Sequence, residues 1–125
     1  MALSFIVLLL VEMMGTAVRT QPVLTQPSFV LVLPGQTARL SCTLSSPYNI
    51  SDFGIFWYQQ RPGHSLMYLL YYNSEQDKHR SANTPNRFSA TKDLASNACI
   101  LIITSTHQED NGSYYCSLAP TFNWL

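Results

Sequence analysis

The side chains best suited to chemistry in this 125-residue chain are three histidines and three cysteines. His64, His79 and His107 stand far apart, and none has a cysteine or carboxylate at metal-ligand spacing. No nucleophile–base pair is recognisable either, so neither catalysis nor a metal or other cofactor is expected. Polar loop residues such as Asp77 and Lys78 are most simply a solvated surface. What remains is thiol and ring chemistry. Cys42 and Cys116 bracket most of the chain, Trp57 follows the first by fifteen residues, and Tyr114 precedes the second by two. Cys99 makes the cysteine count odd, which in a secretory protein points to an intermolecular bond or a reactive thiol. Its parity with Leu101 and Ile103 instead makes it an inward residue of a strand, where cysteine behaves as a small hydrophobe. Ile100 and Ile102 then face outward, as a second contact surface or a bare apolar patch.

The elements that position these residues must fit in one domain, for which 125 residues suffice. Seven basic and seven acidic side chains leave no net charge, which argues against nucleic acid or an anionic membrane as partner. With 46% hydrophobic residues the chain can bury a proper core. The apolar run Ala2 to Val11 is ten residues, too short for a bilayer-spanning helix of about 20. It fits the apolar centre of a secretory signal peptide, although no basic residue precedes it. Cleavage after Ala17 or Thr20 is compatible; residues 1–20 are read as the signal, 21–118 as the domain and 119–125 as a short tail. Such a chain enters the endoplasmic reticulum lumen, where a disulfide can form.

Along the domain, Gln21 to Gln26 and Phe29 to Leu33 read as a broken edge strand, because Pro22 and Pro27 are tolerated only at an edge. After the Pro34-Gly35-Gln36 turn, Ala38, Leu40, Cys42 and Leu44 alternate with Arg39, Ser41 and Thr43, a strand with one dry face. Ser45 to Gly54 is a polar loop. Strands are expected at Ile55 to Arg61 and, past Pro62-Gly63, at Leu66 to Tyr72. A long polar excursion covers Asn73 to Asn83. Further strands start at Arg87-Phe88-Ser89, run from Cys99 to Ile103, and run from Tyr114 to Leu118.

The Cys42…Trp57…Tyr114-x-Cys116 constellation resembles that of the immunoglobulin sandwich. The resemblance implies an all-β, variable-type sandwich with a Cys42–Cys116 disulfide pinning its two sheets. On the chain-entropy view, closing so long a loop stabilises by about 4–5 kcal/mol. It also implies a core of Trp57, Tyr114, Leu101, Ile103 and Cys99, with Arg87 and Asp110 paired at its base. If Trp57 reaches the disulfide, Ile55 and Gln59 share its inward face, and Phe56, Tyr58 and Gln60 point outward. Strand G is expected to be missing or incomplete: the seven residues after Leu118 include Pro120 and carry no F-G-x-G. An edge left open by that gap would invite a strand from another chain.

Phe56, Tyr58, Leu66, Tyr68, Tyr71 and Tyr115 are expected to converge on one outer sheet face, with Gln60 at its centre. A face meeting water would carry polar residues at these positions. Aromatic, charge-poor patches mark protein partners, and Gln60 could exchange two amide hydrogen bonds with a matching glutamine of a pseudo-symmetric partner.

Q-P-V-L-T-Q-P at Gln21, R-L-S-C-T-L at Arg39, W-Y-Q-Q-R-P-G at Trp57, Y-L-L-Y-Y at Tyr68, R-F-S at Arg87 and Y-Y-C at Tyr114 resemble an immunoglobulin lambda variable domain. Within that family the chain is most similar to the VpreB-like surrogate light chains, and to their atypical third member. The chain stops soon after Cys116, S-E-Q-D-K-H-R replaces a short second loop, and R-F-S-A-T-K-D is followed by N-A-C. The resemblance implies a non-enzyme that pairs with the variable domain of the immunoglobulin μ heavy chain during pre-B-cell receptor assembly in the endoplasmic reticulum. It also brings a λ5-like chain as a second partner supplying the missing strand. Tyr58, Gln60, Leu66, Tyr68 and Tyr115 would carry heavy-chain pairing, though Leu66 departs from the proline usual there. The complex would reach the cell surface or be secreted. An ordinary lambda variable segment and a self-associating secreted domain are the competing readings. Asn49-Ile50-Ser51 and Asn111-Gly112-Ser113 are N-glycosylation sequons, the first in an exposed loop and the second in a tight corner.

Overall fold

A computed structural model describes residues 22–25, 29–30 and 33–119. The signal segment 1–20 and the tail from 120 onward, with the question of strand G, lie outside the described residues. Nine strands are present among the described residues: β1 (Leu24–Thr25), β2 (Phe29–Val30), β3 (Ala38–Leu44), β4 (Ile55–Gln60), β5 (Met67–Ser74), β6 (Asp77–Arg80), β7 (Phe88–Asp93), β8 (Ala98–Ile103) and β9 (Gly112–Leu118). They form two antiparallel sheets, one ordered β1-β3-β8-β7 and the other β2-β9-β4-β5-β6. This is a variable-type sandwich.

Period-two patterning builds the interior. In β3, Leu40, Cys42 and Leu44 are buried while Arg39, Ser41 and Thr43 are exposed. In β4, Ile55, Trp57 and Gln59 are buried and Phe56 and Tyr58 are half-buried. The Cys42–Cys116 disulfide joins β3 to β9, and so one sheet to the other, with its Cα atoms 6.6 Å apart. Trp57, Tyr114, Leu101, Ile103 and Cys99 have no accessible surface. Cys99 is a free thiol lying directly across from Cys42, and the Trp57 indole N–H donates to its Sγ at 3.4 Å. Burial pushes that thiol's pKa up. Ile100 and Ile102 are half-buried on the outer side of the four-stranded sheet, opposite Ser41 and Arg39 on β3 and Thr91 and Ser89 on β7. Their polar neighbours break up the apolar surface.

At the base, Asp110 is 2% exposed and takes a bidentate pair of hydrogen bonds from Arg87, whose side chain is 15% exposed. The same carboxylate accepts the His107 backbone N–H at 2.8 Å, and this pairing raises the Arg87 pKa. The Tyr114 hydroxyl donates to the Asp110 carbonyl at 2.5 Å and accepts from Gln59 Nε2 at 2.7 Å. Burial first, with help from Asp110, pushes its pKa up to about 12.

Two expectations need correcting. The polar excursion from Asn73 to Asn83 is largely a hairpin: β5 runs on to Ser74 and β6 pairs back along it, Tyr71 opposite His79 and Leu70 opposite Arg80. All four residues of β6 are exposed, so no alternation betrays the strand. The loop at 45–54 is not wholly polar either. Ile50 is fully buried, with Tyr48 and Phe53 packed against the core around it. Lys92 ties this loop to the hairpin, donating to the Phe53 carbonyl at 2.6 Å and to Asn73 Oδ1 at 3.0 Å.

Candidate partner-binding face

The outer face of the five-stranded sheet is built across β9, β4 and β5. Tyr58 lies opposite Tyr115 on β9 and Tyr68 on β5, while Phe56 lies opposite Ser117 and Tyr71. Tyr68 and Tyr71 are three apart, and in a regular strand they would point to opposite faces. The pairing of β4 with β5 shifts register between Trp57 and Tyr58, so Leu69 is the extra residue of a bulge. The shift turns both tyrosines outward, leaving Leu69 and Leu70 buried in succession.

Four rings then form one cluster. Phe56 stands 5.2 Å from Tyr71, 5.9 Å from Tyr68 and 6.4 Å from Tyr58, and Tyr58 is 6.1 Å from Tyr68. The tilted and edge-on geometries are those aromatic quadrupoles favour. Tyr71 lies across Gly54, where any side chain would collide with its ring, and it donates to Asp77 Oδ2 at 3.0 Å. Ser117 Oγ donates to the Tyr58 hydroxyl at 3.4 Å. These contacts fix the rings before any partner arrives, which lowers the ordering cost of an interface.

Exposure is uneven across the face. Phe56, Tyr58, Tyr68 and Tyr71 are half-buried by one another, whereas Tyr115 is 38% exposed. Leu66 precedes β5 rather than belonging to it and is 54% exposed. Gln60, expected at the centre of the face, is instead exposed at the end of β4, its Nε2 donating to the His64 carbonyl at 3.3 Å. Partial burial raises the pKa of Tyr68, with Tyr58 adding to it, and that of Tyr71, with Asp77 adding to it. The phenols therefore stay neutral at physiological pH, and the face holds a large apolar area without charge to desolvate. Asp77 and His79, on the exposed β6, sit at its border, although the sequence reads Asp77 as solvated surface and His79 as an isolated histidine. Only the β5–β6 pairing brings them there.

Other parts of the surface are less suited to chemistry. A cleft of about 500 Å³ between β6 and β7 is lined by Lys78, His79, Arg80, Thr84 and Phe88 among others, with no carboxylate. Among the described residues no cluster of histidine, cysteine and carboxylate groups could hold a metal, and no helix is long and apolar enough to cross a membrane. Asn49 is exposed, and Asn111 is half-buried at the end of the turn that carries Asp110.

Residues 25–124 match the immunoglobulin V-set domain family. The chain is 52% identical over 113 residues to human Pre-B lymphocyte protein 3, covering 89% of this chain and 92% of that protein. It is 44% identical over 115 residues to the mouse immunoglobulin omega chain, covering 92% and 80%. Against the human probable non-functional immunoglobulin lambda variable 11-55 it is 42% identical over 118 residues, covering 94% and 95%. Domains of this family are not enzymes, and the chain resembles VpreB and lambda variable chains alike. With its two sheets, inter-sheet disulfide and buried Trp57, this protein is a member of the immunoglobulin V-set family.

Proposed function

We propose that the domain is a surrogate light chain: it pairs, through the ring-lined face of its five-stranded sheet, with the variable domain of an immunoglobulin μ heavy chain. The pairing takes place in the oxidising lumen of the endoplasmic reticulum and assists pre-B-cell receptor assembly. The observation that carries this reading is the pre-packed cluster of Phe56, Tyr58, Tyr68 and Tyr71, with the more exposed Tyr115 beside it. Tyrosines of this kind anchor interfaces, because they offer area at low entropy cost and carry a polar tip. Gln60 and Leu66 lie at the margin, where a polar rim and a grazing apolar contact belong. The similarity to Pre-B lymphocyte protein 3 supports an immunoglobulin-chain partner over a self-contained role. A λ5-like chain enters this reading only as a strand laid along β9, whose neighbour opposite β4 is β2 at Ser113 and Gly112.

The test is co-precipitation of μ heavy chain with Tyr58→Asp and Tyr115→Asp variants that retain the Cys42–Cys116 bond. An unpaired carboxylate on the face costs about 2 kcal/mol or more, roughly a thirtyfold loss of affinity. Unchanged recovery of heavy chain, or a tight homodimer indifferent to added heavy chain, would contradict the proposal.

A further inference from the structure

The loop between β3 and β4 (residues 45–54) is held to the turn that joins β7 to β8 in the four-stranded sheet. Asn97, in the turn between β7 and β8, takes a left-handed backbone conformation with φ of 55°. From there its carboxamide makes three hydrogen bonds, one to the last residue of β3 and two inside the loop. Its Nδ2 donates to the Leu44 carbonyl at 3.0 Å and the Tyr48 carbonyl at 2.8 Å, and its Oδ1 accepts the Ile50 N–H at 2.8 Å. Tyr48 and Ile50 flank Asn49 directly, and Ile50 is driven fully into the core. Asn49 is thus held between two anchored neighbours and is itself exposed, as is Ser51 two residues on. Although Asn49 precedes a short 3-10 turn (Ile50–Asp52), its side chain makes no capping hydrogen bond there.

The second sequon is placed very differently. Asn111 is half-buried, and its N–H donates to the Gln108 carbonyl at 3.2 Å. The next residue, Gly112, is pressed so closely on β4 that a Cβ there would lie 2.7 Å from the Gln60 carbonyl oxygen. A bulky sugar at this corner would have to displace the turn that carries Asp110, whereas one at Asn49 extends into solvent.

We infer that Asn49, and not Asn111, carries an N-linked oligosaccharide. The donor is a lipid-pyrophosphate-linked oligosaccharide of the secretory lumen. Asn49 Nδ2 forms a bond to the anomeric carbon, the bond from that carbon to the pyrophosphate oxygen breaks, and the amide nitrogen gives up one proton. The Ser51 hydroxyl supplies the third position of the acceptor motif. The inference rests on the proposed lumenal location, and the oxidation state of the cysteines keeps the two separable.

The experiment is intact-mass analysis of the full chain, expressed with its own leader in mammalian cells, before and after peptide-N-glycosidase treatment. Wild type, Asn49→Gln, Ser51→Ala and Asn111→Gln are compared on molecules carrying the Cys42–Cys116 bond. Wild type and Asn111→Gln lose one glycan on treatment and gain an aspartate at position 49, while Asn49→Gln and Ser51→Ala show no change. Oxidised wild type without a glycan, or a glycan retained in Asn49→Gln, overturns the inference. A wholly reduced chain would overturn the lumenal reading with it.

Discussion

Breaking the Arg87–Asp110 pair should cost far more than its count as a single ion pair suggests. Asp110 is 2% exposed and Arg87 is 15% exposed, and the two close the end of the sandwich remote from the loop at residues 45–54. The guanidinium also lies 5.0 Å from the Phe88 ring centre, so no water replaces its partner cheaply. Removing one member leaves the other buried and uncompensated, at about 3–5 kcal/mol, against a whole-domain stability of about 5–15 kcal/mol. Arg87→Ala should be the worse single change, because the stranded carboxylate is the more deeply buried group and keeps, among the described residues, the His107 N–H. Urea unfolding of the oxidised chain reads this directly. With a slope of about 2 kcal/mol per molar urea, either single substitution moves the midpoint down by about 2 M. The double variant Arg87→Met with Asp110→Leu should lose less than either single, since it buries no lone charge. Singles that cost under about 1 kcal/mol, as exposed pairs do, or a double that costs their sum, would show that the pair is not buried and coupled.

Tyr114→Phe leaves the Asp110 carbonyl and Gln59 Nε2 without their shared partner, at about 1–3 kcal/mol in the same urea assay. Because folding pushes this phenol up to about 12, the unfolded chain sheds its proton first, near pH 10. Wild-type stability should therefore hold below pH 10 and fall between pH 10 and 12, more steeply than that of Tyr114→Phe; equal slopes would contradict the buried, neutral phenol. Cys99 should resist a water-soluble maleimide in the native chain and react fully once unfolded, and Cys99→Ala should cost about 1–2 kcal/mol through lost packing and the lost indole contact. Rapid native labelling would show the thiol exposed.

The parts of the fold that follow strict alternation were legible in the sequence, because a buried face forces period two. The strand from Ala38 to Leu44 and the two faces of Ile55 to Gln60 are of this kind. The parts that escaped depend on pairing rather than pattern. The bulge at Leu69 is one register shift, yet it decides that Tyr68 and Tyr71 share a face. The strand Asp77–Arg80 is wet on both sides and reads as loop, so pattern alone does not place Asp77 and His79 beside the rings. Ile50 lies buried inside a polar run because Asn97, nearly fifty residues later, holds the loop around it. No local signal encodes such a contact.

A surrogate light chain paired as proposed turns its five-stranded sheet, not its four-stranded one, toward the heavy chain. A benzophenone amino acid placed at Tyr115, and in a second chain at Ser41 on the outer face of the other sheet, tests it in cells making μ heavy chain. Irradiation should yield a heavy-chain adduct from position 115 and none from position 41. Adducts from 41 alone would put the partner on the four-stranded sheet and rule out pairing through the rings.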